Sequence, residues 1–210
     1  CLFLCVSLNS YSEYIIDQQQ PEWTQENGGV HAIWTNLHVA QTFTVGVSGQ
    51  LERIDFGLDK NSATFTSATL NIVNVSNNGL PDGEVLATSV IYDITTPTSY
   101  GYEGFELTQF DLTSPINVET NQILGIIISF ANSCPNTWGG CADGWGVGIS
   151  QYSNPYLGGD GYHISAQNNP ISWNKVGDFV FKTYVTPIPV PAAAWLFGSA
   201  LAGLGVLRKK

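Results

Sequence analysis

The residues best suited to binding chemistry cluster between positions 134 and 162. Trp138, Trp145, Tyr152 and Tyr156 stand there among Asn, Asp and Gly residues. Flat aromatic rings can stack on the C–H faces of sugar rings, while neighbouring amides and carboxylates bind hydroxyls. We therefore expect a glycan-binding loop region over 134–162. The alternative is that these aromatic side chains fill or cap a β-sandwich core, which would bury them.

Two cysteines lie in the same region. Cys134 and Cys141 bracket a turn-rich loop, and the sequence predicts a disulfide between them if the domain is exported to an oxidising compartment. Closing so short a loop would add about 2–3 kcal/mol of stability, so its main effect would be to stiffen the loop that carries Trp138. Two free thiols are the alternative, since a cysteine metal site would need further ligands.

Acidic residues in the loops suggest calcium as the possible cofactor. Asp143 and Asp160 are the candidate ligands, because carboxylate oxygens are what calcium prefers. The acidic positions do not follow the twelve-residue EF-hand spacing, so solvated turn residues are the alternative.

The sequence shows no recognisable catalytic motif. His31, His38 and His163 lack the tight spacing and companion ligands of a zinc site. There is no nucleophile elbow, phosphate-binding loop or dinucleotide fingerprint. We therefore expect a protein that is not an enzyme. A secreted hydrolase remains the alternative, because 17 acidic residues make some facing carboxylate pair inevitable.

The charge balance excludes nucleic acid as a partner. The chain has 17 acidic residues against 7 Lys and Arg and a formal charge of −10, whereas nucleic acid requires a basic face. Residues 13–187 carry all 17 acidic residues and only four of the basic ones. Such a surface suits solubility and divalent cations, and it disfavours anionic polymers unless calcium bridges them.

The first twelve residues are expected to be the remnant of a signal peptide. Residues 1–8 are almost wholly apolar, and Ser10-Tyr11-Ser12 offers a small-residue cleavage site. The alternative is an apolar first strand. A lipid anchor on Cys1 is disfavoured, because bulky Leu2 and Phe3 follow it.

The far end of the chain predicts a single transmembrane helix. Residues 192–207 are uncharged, and the basic triplet Arg208-Lys209-Lys210 follows. Such a helix spans about 24 Å, short of a ~30 Å hydrocarbon core but sufficient with snorkelling ends. The triplet orients the C-terminus to the cytoplasm, Trp195 suits the outer interface, and Gly198 belongs to a small-residue face. A buried core helix is the alternative.

Between these ends, residues 13–186 are expected to form one all-β domain, with 187–210 as the sorting and membrane segment. Period-two alternation recurs along this stretch, and Gly-, Pro- and Asn-rich turns separate the runs. At least eight short strands predict an antiparallel two-sheet β-sandwich, jelly-roll-like in connectivity. The clearest strand patterns are Ile54–Leu58, Leu70–Ile72 with a change of face at Val73, Phe105–Leu112, a central strand over 123–130 buried on both faces, and Phe179–Val185.

The C-terminal segment resembles a PEP-CTERM sorting signal. Its proline-rich motif is formed by Pro187, Pro189, Val190 and Pro191, and the apolar run and basic tail follow in the family's order. Val190 replaces the family's central Glu, which leaves the cleavage position open. The resemblance implies a Gram-negative bacterium, general secretion, and processing of this chain by an exosortase. It also implies an association with exopolysaccharide and biofilm.

The body resembles, more weakly, bacterial surface domains that precede interchangeable C-terminal anchors. The similar segments are 40–46, 49–56, 79–88 and 178–184. The resemblance implies a carbohydrate-binding type of sandwich and transfers no catalytic residue. We therefore expect an exported structural or adhesive protein, anchored in the inner membrane as a precursor and then located in the envelope or outside the cell. Its expected partners are the exosortase, the inner membrane and extracellular polysaccharide, and a dedicated carbohydrate-binding module is the alternative.

Overall fold

The computed structural model describes most of the predicted ectodomain. The ranges are 13–20, 28–33, 37–60, 65–92, 106–132, 145–150, 156–165 and 172–188. The predicted signal-peptide remnant at 1–12 and residues 189–210 lie outside these ranges.

The fold is all-β. Every strand pairing is antiparallel, and the described ranges contain no helix. The strands are β1 (Ile15–Gln20), β2 (Gly28–Ile33), β3 (Leu37–Thr44), β4 (Gly49–Lys60), β5 (Phe65–Asn74), β6 (Val85–Tyr92), β7 (Glu106–Val118), β8 (Ile123–Asn132), β9 (Trp145–Ser150), β10 (Gly161–Ser165), β11 (Ser172–Val176) and β12 (Phe181–Pro187).

The strands form two six-stranded sheets. Sheet A has the order β1-β12-β4-β9-β2, and β7 pairs with the other edge of β4. β12 and β9 share one edge of β4, because β12 pairs with residues 49–56 and β9 with residues 58–60. Sheet B has the order β11-β10-β3-β8-β5-β6.

The two sheets pack face to face over one hydrophobic core, which confirms the predicted sandwich-like, all-β class. Phe43 of sheet B and Phe181 of sheet A meet across it with ring centroids 6.2 Å apart. Phe56 and Phe179 make a second aromatic contact, at 5.8 Å. Alternate residues of the strands supply the core, since successive side chains of a strand point to opposite faces.

Several predicted strand patterns are confirmed. Ile54, Phe56 and Leu58 are all buried on β4. The predicted change of face at Val73 coincides with a register shift between Ile72 and Val73 in the pairing of β5 with β6. Such a shift is a β-bulge, but its extra residue is Leu86 of β6, because β5 pairs with β8 without a shift at Ile72 and Val73.

The prediction for 123–130 was wrong in part. β8 is central in sheet B, and its inward residues Leu124, Ile126 and Ile128 are fully buried. Its outward residues Ile127 and Ser129 are only half-buried. An antiparallel sheet needs just one covered face, and the sandwich supplies one.

A buried polar pair holds the crossover between the sheets, residues 177–180. Gln41 of β3 donates from Nε2 to Asp178 Oδ1 at 3.1 Å, and its Oε1 accepts the backbone N–H of Phe179 at 2.8 Å. The other carboxylate oxygen of Asp178 accepts the backbone N–H of Tyr156 at 2.9 Å. Both side chains are fully buried. We call these groups the Gln41–Asp178 node.

The node also fixes the segment that leads into β10. Downstream of Tyr156, the hydroxyl of Thr44 donates to Gly158 O at 2.7 Å, and Thr42 exchanges hydrogen bonds with Asp160. Gly159 lies so close to β3 that an added Cβ would collide with the carbonyl group of Thr42. Residues 156–160 are therefore laid against β3 without room for a side chain at Gly159.

Gln41→Ala should lower the free energy of unfolding by about 2–4 kcal/mol. The change leaves the Phe179 N–H and one oxygen of Asp178 buried without their partner, and each such loss costs about 1–3 kcal/mol. Gln109→Ala is the matched control, because Gln109 also donates to a carboxylate, that of Asp111, but on the exposed face. The control substitution should lower the free energy of unfolding, measured with urea, by less than about 0.5 kcal/mol. Equal losses in the two variants would contradict the assignment.

The node should also give stability a defined pH dependence. Burial raises the pKa of Asp178 above its ordinary 3.8. The native state then holds this proton more tightly than the unfolded chain, so the free energy of unfolding falls as pH rises from 3.8 through the raised pKa. Asp178→Asn removes this titration while losing a hydrogen bond. The free energy of unfolding of Asp178→Asn should therefore lie below that of wild type by an amount that becomes smaller as pH rises. Urea unfolding from about pH 4 to pH 7 measures this difference.

The titration of Asp17 does not affect the comparison between wild type and Asp178→Asn. Burial raises its pKa as well, but Asp17 titrates in both proteins and its contribution cancels. If the difference in free energy of unfolding between wild type and Asp178→Asn grew with pH, the hydrogen bonds to the ionised Asp178 would outweigh the cost of burying its charge.

Candidate functional site

The structure describes few of the residues predicted to bind ligands. Trp145 begins β9, where its backbone faces Ile33 of β2 and Lys60 of β4. Most of the other predicted binding positions lie outside the described ranges, so the disulfide, the glycan contacts and the calcium ligand assigned to them stay predictions. The positions outside the described ranges are Cys134, Trp138, Cys141, Asp143 and Tyr152.

The sorting segment is described only at its start. Pro187 is the last residue of β12 and faces Gly49 of β4. Across the ranges that the structure covers, no helix has the length and apolar character to cross a membrane; the predicted helix at 192–207 falls beyond them. Also beyond them lie Pro189, Val190, Pro191, Trp195, Gly198, Arg208, Lys209 and Lys210.

Tyr156 is part of the hydrophobic core, which was the alternative to a role in glycan binding. Its side chain is buried, and its ring meets Phe181 edge-on at 5.1 Å. Its hydroxyl donates to Gln18 at 2.8 Å, and burial raises its pKa to about 12. Tyr156 therefore caps the core and offers no ring face to a sugar.

Asp160, a predicted calcium ligand, is ion-paired. Its carboxylate lies 2.5 Å from the ammonium of Lys175, and this hydrogen bond raises the pKa of Lys175. Among the described residues, no group of three or more His, Cys, Asp or Glu side chains is placed to hold a metal ion. A calcium ion at Asp160 would have to displace Lys175 and recruit ligands from outside those residues.

The histidines are placed apart. His31 lies on β2 of sheet A. His38 faces Ile164 and His163 faces Val39; since facing residues share a side of the sheet, His38 and His163 point to opposite faces of sheet B. Burial lowers the pKa of both, which keeps them neutral at pH 7.

The outer face of sheet A carries a compact polar cluster. Arg53 makes two parallel hydrogen bonds to Asp55, at 2.7 and 2.8 Å, and the hydroxyl of Tyr184 donates to the same carboxylate at 2.7 Å. The guanidinium also lies 4.6 Å from the centre of the Tyr184 ring, a cation–π geometry. Tyr14 packs edge-on against Tyr184 at 5.5 Å. The charges of this cluster satisfy one another, so we interpret it as a brace for sheet A.

The outer face of sheet B is different, because it is nearly free of charge. Strands of sheet A contain nine Asp, Glu, Lys or Arg residues, whereas the described strands of sheet B contain only Lys175. Register places the outward residues in two rows. Val90 faces Thr69, Thr69 faces Ser129, and Trp173 and His38 both face Ile164. In the second row Thr88 faces Asn71, Asn71 faces Ile127, and Tyr162 faces Lys175. We call the outward set of these rows the neutral face: Thr69, Asn71, Thr88, Val90, Ile127, Ser129, His38, Tyr162, Trp173 and Lys175. Its one charged member is Lys175, which is ion-paired with Asp160.

Two aromatic rings mark one side of the neutral face. Tyr162 and Trp173 meet edge-on with centroids 6.2 Å apart. Tyr162 is buried beneath this contact, and its hydroxyl donates to Gly79 O at 3.4 Å, which ties the β5–β6 loop to β10. Trp173 is partly exposed. The pair thus presents an indole backed by a fixed phenol ring.

Sequence reasoning missed Trp173 and Tyr162. Their strands are only five residues long, too short for a clear period. The pairing of β10 with β11 brings the two rings together in continuous register, from Gly161 facing Val176 to Ser165 facing Ser172. The only signal was a Trp between turn residues Asn169-Pro170 and Gly177, and that pattern does not reveal exposure.

The arrangement is suited to binding uncharged polar ligands. Hydroxyl and amide groups from Thr69, Ser129 and Asn71 can exchange hydrogen bonds, and Trp173 supplies a flat apolar surface. Within the described strands of sheet B, ionic recognition of a ligand is limited to Lys175, whose charge Asp160 already balances.

Comparison with known proteins adds no assignment. No protein-family model matches the chain, and no curated protein matches it. The resemblances of the C-terminal segment and of the body therefore stay predictions, and function has to be argued from the geometry and the sequence.

Proposed function

We propose that this chain is an exported, non-catalytic structural or adhesive protein of the cell surface or extracellular matrix. Residues 187–210 are its exosortase sorting signal, with a transmembrane helix at 192–207, and the sandwich has a jelly-roll-like connectivity. The neutral face contacts extracellular polysaccharide. This proposal joins the sequence resemblance to the distribution of charge over the two sheets.

The observation that carries the binding role is the segregation of charge between the sheets. The chain is strongly acidic, yet the described strands of sheet B contribute one ion-paired charge and a broad surface of Thr, Ser, Asn and aromatic side chains. A sugar ring has apolar C–H faces and an uncharged rim of hydroxyl groups, which this mixture complements. The acidic surface elsewhere repels anionic polymers, so uncharged polysaccharide is the favoured class.

Four of the described carboxylates are engaged within the fold. Retaining and inverting glycosidases need two carboxyl groups facing a common cleft. In the part of the chain that the structure describes, Asp55 is held by Arg53 and Tyr184, Asp111 by Gln109, and Asp160 by Lys175. Asp178 is buried in its node. Because these four are engaged, the alternative of a secreted hydrolase would need its pair among the other acidic residues.

The end of the sandwich agrees with an anchored precursor. β12 runs to Pro187, and Ile188 is exposed directly after it. The sorting motif would then begin at Pro187, inside the last strand, without an intervening linker. An exosortase would meet the motif at the membrane, with the sandwich outside.

Processing should remove the apolar helix. In a bacterium with a matching exosortase, we expect cleavage near residues 189–192, because the proline-rich motif resembles the recognition element of these signals. Intact-mass analysis of the surface or secreted form tests this. A mature form that still ends at Lys210 would leave a simple tail anchor and overturn the sorting-signal part of the proposal.

Binding should depend on Trp173. In affinity gel electrophoresis of the full chain in non-ionic detergent, soluble β-glucan or galactomannan should retard the protein, and alginate should not. Trp173→Ala should weaken retardation about tenfold or more, by analogy with aromatic stacking worth about 1–3 kcal/mol on other flat ligands.

Tyr14→Ala is the matched control. Tyr14 is a half-exposed aromatic residue on the outer face of sheet A, so its removal should leave retardation unchanged. Thermal melts of both variants show whether either change unfolds the domain. Retardation by alginate alone, or equal loss in the two variants, would contradict binding at the neutral face.

A further inference from the structure

The loop between β5 and β6 is folded back over the outer face of sheet B. We call residues 75–84 the strap. Pro81 of the strap lies so close to Gly125 of β8 that an added Cβ at Gly125 would collide with Pro81 and with Val73 of β5. Pro81 and Val73 are both buried, although Val73 follows the core residue Ile72 and therefore points outward. The strap is thus packed onto the sheet and does not project freely from it.

The tip of the strap, residues 77–79, has a fixed backbone. Gly79 donates its N–H to Ser76 O at 2.9 Å, and Ser76 donates its N–H to Leu80 O at 2.9 Å. Gly79 has a φ of 78°, the left-handed conformation that ends a three-residue hairpin loop of this kind. Asn77 and Asn78 occupy the other two tip positions, and both are exposed. Their amide side chains are therefore presented from a backbone that is already held in one conformation.

Tyr162 joins this tip to the aromatic side of the neutral face. Its hydroxyl donates to Gly79 O at 3.4 Å, and its ring meets Trp173 edge-on with centroids 6.2 Å apart. Burial and the negative charge of Asp160 raise the pKa of Tyr162, so its hydroxyl stays protonated and remains a donor at neutral pH. The exposed amides of the tip and the indole of Trp173 therefore stand on either side of one buried phenol ring.

The strap runs across the strands and not along them. It leaves the ends of β5 and β6, passes over β8 at Gly125 and reaches β10 at Tyr162. Since β3 lies between β8 and β10, this path covers three strand spacings, or about 14 Å. On β8 the strap covers Gly125, whereas the next outward residues, Ile127 and Ser129, are half-exposed. The strap is therefore a wall along one side of the neutral face.

The tip of this wall is uncharged, like the face beside it. The two acidic residues of the strap, Asp82 and Glu84, lie at its base, where it joins β6. The charge of Lys175 is balanced by Asp160. An amide side chain donates and accepts hydrogen bonds at once, as does a hydroxyl group. The tip is therefore suited to the hydroxyl groups of an uncharged ligand.

We propose that Asn77 and Asn78 are a second contact point for the polysaccharide that stacks on Trp173. Their amides bind hydroxyl groups of a neighbouring sugar unit, and the polymer lies along the strap, across the strands. The ligand is then an extended stretch of uncharged polysaccharide and not a single sugar. Tyr162 is a positioning residue, because its buried hydroxyl holds the tip through Gly79. This inference rests on the proposed binding of polysaccharide at the neutral face.

Affinity gel electrophoresis of the full chain in non-ionic detergent, with soluble β-glucan or galactomannan, tests the contact. The double variant Asn77→Ala/Asn78→Ala should bind about three- to tenfold more weakly than wild type, because its hydrogen bonds to the polymer are lost. Its melting temperature should stay unchanged, since both side chains are exposed. Asn117→Ala is the matched control, because it removes an exposed amide from β7 of sheet A, and its binding should equal that of wild type.

A double-mutant cycle tests the role of Tyr162. Tyr162→Phe keeps the ring beside Trp173 and removes the hydroxyl, so it should weaken binding several-fold in the wild-type chain. In the Asn77→Ala/Asn78→Ala chain it should have no further effect, because the hydroxyl acts on binding only through the tip. The interaction of the hydroxyl with Asp160 is lost in both chains alike, so a contribution from it would appear in both.

Three results would overturn the inference: unchanged binding by the double variant, an equal loss in Asn117→Ala, or a full effect of Tyr162→Phe in the chain that already lacks both amides. If Trp173→Ala weakens binding while the strap variants bind like wild type, the proposed function stands and this inference alone fails. If neither polysaccharide retards the wild-type chain, both fail.

Discussion

The Gln41–Asp178 node is the constraint on which the arrangement of this sandwich depends. Three parts of the chain converge on it: the central strand β3, the crossover from sheet B to sheet A, and the segment before β10. A buried carboxylate is costly unless it is hydrogen-bonded, so these three parts have to meet in one geometry. The node therefore acts less as a source of net stability than as a device that selects one path for the chain.

The path it selects determines the surface that we assign to binding. Because residues 156–160 lie against β3, β10 enters sheet B beside β3 and β11 follows it to the edge. This order places Trp173 and Tyr162 on the outer face, with β3 between them and the hydroxyl-bearing strands β8, β5 and β6. All the charged strand residues that the structure describes, except the ion-paired Lys175, lie on sheet A, where Arg53 and Asp55 neutralise each other. Binding surface and brace thus occupy opposite sides of one core.

The strands with long alternation could be predicted from the sequence. The irregularity opposite Val73 could not be assigned to the right strand, because β5 pairs regularly with β8 there and the extra residue is Leu86 of β6. The role of Tyr156 could not, since its burial depends on Phe181 and Gln18, which are far away along the chain. Trp173 was missed because exposure is set by which strand lies beside it. Sequence predicts which residues alternate, but the pairing of strands distant in sequence decides which outward residues form one surface.

Hydroxyl-radical footprinting of the full chain, with and without an uncharged polysaccharide, tests the assignment of the neutral face most directly. Trp173 and Tyr14 are both partly exposed and reactive side chains on opposite outer faces of the sandwich. The proposed binding predicts that added polysaccharide slows oxidation of Trp173 and leaves Tyr14 unchanged. Protection of Tyr14 alone, or unchanged oxidation of Trp173 at a polysaccharide concentration that retards the protein in gels, would contradict it.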